Sequence, residues 1–160
     1  MCVNWRSFSP FCHHLHPAHK PVRRRFTIGL HWTVLVLLIL LLAGGVIAEI
    51  ALLYAICGFA MVAIALFKGL MNGPGPKLTG TLRSAHPWLS WGMYAVLALS
   101  SGITLRALMG NGSFGIPLPR LYFVTLSMVA LHAIFHLWRH TALGDGALRR
   151  ITPKALHGIL

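Results

Sequence analysis

The sequence predicts an all-α integral membrane protein, a four-helix bundle with both termini in the cytoplasm. Three observations predict this fold. The 160 residues are 56% hydrophobic and only 10% charged, with a mean hydropathy of +0.71, a composition that points to the membrane class. The apolar residues form long runs that can cross a bilayer as four helices. The basic residues cluster at the ends of these runs.

The four predicted spans cover residues 26–43, 50–70, 84–105 and 121–140, within a membrane domain of residues 26–141. At about 1.5 Å per residue, the first span is just long enough for a hydrocarbon core of about 30 Å. The later spans are as long or longer. The chain therefore crosses the membrane four times.

Breaks between the spans follow from a few residues. The apolar sequence after the first span is about two membrane thicknesses long, so it must turn back, and Gly44, Gly45 and Glu49 offer the one place with both a flexible backbone and a charge. Lys68 and the glycine- and proline-rich loop after it end the second span. Pro87, near the start of the third span, suits a first helical turn.

Lysine and arginine residues orient the bundle. Of the 14 Lys and Arg residues, only Arg106 and Arg120 fall on the side opposite the termini. The positive-inside rule therefore places both tails, residues 1–25 and 142–160, in the cytoplasm. Topology thus explains the net charge of +12, so we expect membrane lipid and no nucleic acid as a partner. A tract in the first tail could bind zinc or copper, but it lacks a second half-site, and we expect no metal there. Its residues are Cys12, His13, His14, His16 and His19.

Histidines inside the apolar runs are the candidate functional residues. His132, His136 and His140 recur every four residues and share one helical face, and His31 lies in the first span. An unpaired imidazole in hydrocarbon is costly, and intramembrane ionisable residues are functional by default. We therefore predict His31 and His132 as metal ligands, with hydrogen bonding to each other or to backbone as the alternative. His136 matches the depth of His31 equally well, and His86 begins the third span. Both remain secondary candidates, whereas His140 is expected to be solvated.

Two histidines on separate membrane helices are the ligand set of a b-type haem. The sequence contains no Cys-x-x-Cys-His motif, which excludes covalent c-type attachment. Two imidazoles saturate the iron, which favours reversible transfer of one electron over oxygen chemistry. The haem propionates need cations at the water boundary, and Lys68, Arg83 and Arg139 are the candidates.

Three blocks of residues carry a family resemblance. They are Ile28-Gly-Leu-His31-Trp32, then Tyr54-Ala-Ile-Cys57-Gly58 through Lys68, and finally Leu131-His132-Ala133 with His140, Asp145-Gly-Ala-Leu-Arg149-Arg150 and Pro153. From about Arg25 to Pro153 the chain resembles the bacterial cytochrome b561 family, four-helix membrane cytochromes that pass electrons to or from quinone. The last block implies that His132 rather than His136 is the partner of His31.

That resemblance also implies a haem count. The family binds a second haem through histidines early in its second span and at the start of its fourth, where this chain has Tyr54 and Leu118. We therefore expect one haem b, on the cytoplasmic side.

The expected protein is a cytochrome of the bacterial inner membrane, an electron-transfer oxidoreductase that carries single electrons between the quinone pool and an unidentified redox donor or acceptor. A homodimer is left open. The alternative is a haem-free family member that serves as a structural or anchor subunit of a membrane complex.

Overall fold

The computed structural model describes residues 20–71, 73–75, 77–152 and 158, and these residues contain helices and no strands. This confirms the predicted all-α fold. The metal tract at Cys12 to His19 lies outside the described residues. The helices are α1 (Lys20–Ala43), α2 (Ala48–Lys68), α3 (Gly80–Leu108), α4 (Leu118–Thr141) and a 3-10 turn (Leu148–Arg150).

Each of the four α-helices is long and apolar enough to cross a membrane. Even the shortest, α2 with 21 residues, measures about 31 Å at 1.5 Å per residue. Large apolar side chains cover the outside of the bundle, including Phe67, Trp88 and Leu131. This is the architecture of a multi-pass membrane protein.

Two helix starts differ from the prediction. Helix α1 begins at Lys20, so the arginines of residues 23–25 belong to the helix rather than to a tail. Helix α3 begins at Gly80, and Pro87 therefore lies inside the helix rather than in its first turn. A proline removes one backbone hydrogen bond. The rest of the helical ladder persists because backbone groups in hydrocarbon have no alternative partner.

Neighbouring helices form a closed ring. Helix α1 packs on α2 and α4, and α3 packs on the same two helices. We call the half that contains the first residue of α1 and the last residue of α4 the terminal half, and the half at the α1–α2 and α3–α4 connections the turn half. The most deeply buried residues of the apolar core, Leu38, Leu41, Ala51, Tyr54 and Tyr122, extend from mid-bundle into the turn half.

The segment after α4 folds back against the bundle. Arg139, 1% exposed, donates from Nε to the Asp145 carboxylate at 2.8 Å and from Nη2 to the same carboxylate and to the Pro74 carbonyl. Asp145 also accepts the Ala147 N–H at 2.8 Å. We call Arg139, Asp145 and these two backbone partners the clasp. It joins the end of α4, the α2–α3 loop and the C-terminal segment, as expected for a buried charge that must be paired.

Candidate functional site

A cavity of about 350 Å³ occupies the terminal half of the bundle. All four α-helices contribute to its wall, and the C-terminal segment covers it through Leu148, Ile151 and Thr152. Its floor includes Tyr54 and Thr125, which belong to the packed turn half. The cavity is within the size range of small-molecule and cofactor sites.

Four histidines from three helices line this cavity. They are His31 of α1, His86 of α3, and His132 and His136 of α4. The ring centroids of His132 and His136 lie 4.5 Å apart, and those of His86 and His136 lie 6.4 Å apart. His132 is within electrostatic range of both His31 and His86. The structure therefore brings together all four histidines that the sequence proposed as ligands.

His86 lies deeper than the sequence indicated. The early start of α3 at Gly80 places it in the second helical turn, where it is 2% exposed. His140, in contrast, is half-buried at the end of α4 and does not line the cavity. Only part of the predicted histidine stripe on α4 thus faces the interior.

Most of the cavity wall is apolar. Leucine, valine and methionine side chains such as Leu35, Val129 and Met93 surround the imidazoles, and Thr27, Ser90 and Thr125 add a few hydroxyls. Each of these hydroxyls donates to a carbonyl of its own helix, four residues earlier. The imidazoles and the Tyr94 hydroxyl are therefore the polar groups of the cavity wall that remain for a ligand. An apolar pocket with few convergent polar groups is the usual form of a cofactor site.

The three cations predicted to hold propionates do not line the cavity. Lys68 is exposed at the last residue of α2. Arg83 donates to the carbonyls of Gly75 and Leu78, at 2.9 and 3.3 Å. Arg139 is paired with Asp145 and the Pro74 carbonyl in the clasp. The sequence predicts that these three residues lie near the membrane boundary. It does not predict the paths of the loops that provide the hydrogen-bonding partners of Arg83 and Arg139.

Tyr54 and Leu118, the residues that the resemblance sets against a second ligand pair, lie in the turn half. The hydroxyls of Tyr54 and Ser100 share a hydrogen bond of 2.9 Å, and those of Tyr122 and Thr104 share one of 3.1 Å. The two tyrosine rings meet edge to face with centroids 5.6 Å apart. We call these four residues the hydroxyl network. Leu118 is the first residue of α4 and packs against the core.

Within the described ranges, no three His, Cys, Asp or Glu side chains form a group that could hold a metal ion. A haem iron needs only two axial imidazoles from the protein.

The fold and the cavity define a class: a four-helix, multi-pass membrane protein with a histidine-lined internal cavity. Comparisons with protein-family models, curated proteins and solved structures find no match. The resemblance to the cytochrome b561 family therefore rests on the sequence blocks described above and stays a prediction.

Proposed function

We propose that this chain is a b-type cytochrome, similar to the bacterial cytochrome b561 family, that carries single electrons between the quinone pool and a redox partner. His31 and His132 are the proposed axial ligands of one haem b. The observation that carries the proposal is that imidazoles from two packed helices, α1 and α4, face one apolar cavity. The proposed location is the bacterial inner membrane.

The residues of the cavity fit a haem in two respects. His31 and His132 come from neighbouring helices and provide the two nitrogens that a six-coordinate iron requires. The aliphatic wall excludes water, which tunes the potential of a bound haem. Bound by two imidazoles, the haem supplies reversible one-electron chemistry without an open coordination position.

Trp32 holds the wall of the cavity next to His31. Its ring meets the His31 ring edge to face, with centroids 6.3 Å apart. Its indole N–H donates to the Ile151 carbonyl at 3.1 Å. This bond connects α1 to the C-terminal segment that covers the cavity. Because Trp32 is next to His31, the C-terminal segment helps to position His31.

Reduced-minus-oxidised spectra of the purified protein in detergent test this proposal. We expect a b-type α-band from the native chain and its loss in His31→Ala and in His132→Ala. His140→Ala, on the same helix as His132 but outside the cavity, is the matched control and keeps the band.

A band that survives both ligand substitutions contradicts the axial assignment. If His136→Ala loses the band while His132→Ala keeps it, His136 is the ligand on α4. A native chain without any band favours the structural-subunit alternative. One observation already supports that alternative: the closely packed hydroxyl network occupies the place of a second haem site.

A further inference from the structure

His86 and His136 each bury a ring nitrogen that has no hydrogen-bond partner among the described residues. The atom is Nδ1 in both, and the two residues are 2% and 7% exposed. A buried polar atom without a partner costs free energy, and native proteins contain few of them. Both Nδ1 atoms are enclosed by protein, so a group bound in the cavity would meet Nε2 of each ring, which also makes no hydrogen bond among the described residues.

These two histidines lie nearer to the end of the bundle than the proposed axial pair. His136 follows His132 by one helical turn, about 6 Å along α4. His86 stands across from it on α3, with the ring centroids 6.4 Å apart. The pair therefore lies between His132 and the clasp.

The electrostatic surroundings of His86 favour an anion. Arg139, Asp145 and Arg150 are the charged groups within electrostatic range of it. Arg139 and Asp145 neutralise each other in the clasp. Arg150 donates to the backbone carbonyl of Asp145 at 3.2 Å, which leaves its charge without a carboxylate partner. The net local charge is positive.

We propose that His86 and His136 bind a propionate carboxylate of the haem. This inference rests on the proposed function. A carboxylate only accepts hydrogen bonds, and a neutral imidazole offers one N–H donor. Hydrogen bonds to an ionised acceptor are about twice as strong as those between neutral groups. In this arrangement His31 and His132 hold the iron, while His86 and His136 hold the acidic edge of the same ring, in place of Lys68, Arg83 and Arg139.

Reconstitution with two forms of the cofactor tests the proposal. Purified haem-free protein in detergent is titrated with haem b and with haem b dimethyl ester, in which both carboxylates are neutral. We expect the native chain to bind haem about ten- to a hundredfold more tightly than the ester. The double variant His86→Phe/His136→Phe binds the two forms equally and keeps the α-band, because His31 and His132 are intact.

Two further variants separate recognition from folding. His86→Gln/His136→Gln keeps an N–H donor at each position, so we expect it to retain part of the preference for haem. His140→Phe, outside the cavity on α4, keeps all of it. Far-ultraviolet circular dichroism shows whether each variant retains the helical bundle.

Three results overturn the proposal: equal binding of both forms by the native chain, an undiminished preference in the double variants, or loss of the α-band in both double variants. The last result makes His86 or His136 a haem ligand. A native chain that binds neither form overturns the proposed function as well. Where the native chain binds haem, His31→Ala tests the axial assignment separately, since it removes the band with either cofactor only if that assignment is correct.

Discussion

The two halves of this bundle solve the same problem in opposite ways. Both contain polar side chains within a chain otherwise suited to hydrocarbon. In the turn half, Tyr54, Ser100, Thr104 and Tyr122 satisfy one another within closely packed helices. The neighbouring Ser101 hydroxyl is buried without a hydrogen bond, but it packs against Gly58 rather than lining the cavity. In the terminal half, four imidazoles line a cavity of about 350 Å³, and two keep an unpartnered nitrogen.

Side-chain chemistry explains the contrast. A hydroxyl both donates and accepts, so tyrosine, serine and threonine can close a network within one layer of a bundle. A neutral imidazole also donates and accepts, but through two nitrogens fixed in a larger, rigid ring and pointing well apart, so both partners must stand in set positions. Polar groups that complete one another stabilise the fold, whereas polar groups left incomplete around a cavity mark the place for a ligand.

The largest effect on stability is expected where the cavity is closed. Asp145→Ala leaves the Arg139 guanidinium buried without its carboxylate, so we expect the free energy of unfolding to fall by about 3–5 kcal/mol. Thermal or denaturant unfolding in detergent, followed by circular dichroism, measures the loss.

The chain has two acidic residues in all, and the other provides the control. Glu49 is exposed at the start of α2, and we expect Glu49→Ala to change the stability by less than about 0.5 kcal/mol. Equal effects of the two substitutions contradict the structural role of the clasp.

A smaller effect is expected in the packed region between α2 and α3. A Cβ at Gly58 would lie 2.1 Å from Ser101 Oγ and 3.2 Å from a Leu97 methyl group. Gly58→Ala must therefore displace the Ser101 hydroxyl and crowd the Leu97 methyl group, at a cost of about 1–3 kcal/mol.

Gly92→Ala in α3 is the matched control, because no atom lies within 4 Å of its added Cβ. Alanine there favours the helix by roughly 0.5–1 kcal/mol. If both substitutions stabilise the protein in the same unfolding assay, close packing at Gly58 is not required.

The smallest effect on stability is expected in the hydroxyl network, and it tests whether this network is independent of the cavity. Tyr54→Phe removes the hydrogen bond to Ser100 and should lower the free energy of unfolding by about 1 kcal/mol. Haem content should stay unchanged, as measured by the α-band.

Tyr94→Phe is its control for stability, since the Tyr94 hydroxyl lines the cavity and makes no hydrogen bond within the part of the chain that the structure describes. We expect no loss of stability there. A loss of haem in Tyr54→Phe contradicts the separation of the two halves.

The fold was predictable from the sequence because hydropathy and charge report directly on membrane spans. The four predicted spans are all helices in the structure. The helix starts were less predictable. The arginines of residues 23–25 do not interrupt α1, which begins at Lys20, and Pro87 removes only one hydrogen bond from a 29-residue helix.

The candidate site was predictable in its histidines but not in its cations. An imidazole within an apolar run is expected to face the interior of the bundle rather than lipid. The sequence therefore identified His31, His132 and His136 as candidate site residues. The clasp could not be predicted from the sequence, because the pairing of Arg139 with Asp145 depends on a chain reversal after α4. The one available signal was an acidic residue beside a basic helix end in a chain with almost no acids.

Haem content per polypeptide tests the central claim most directly. The pyridine haemochromogen assay on the purified protein, with protein measured by amino-acid analysis, gives the ratio. We expect a value close to one b haem per chain, since among the described residues the histidine-lined cavity lies in the terminal half. A value close to two would mean that the turn half also binds haem, and a value of zero would contradict the haem assignment altogether.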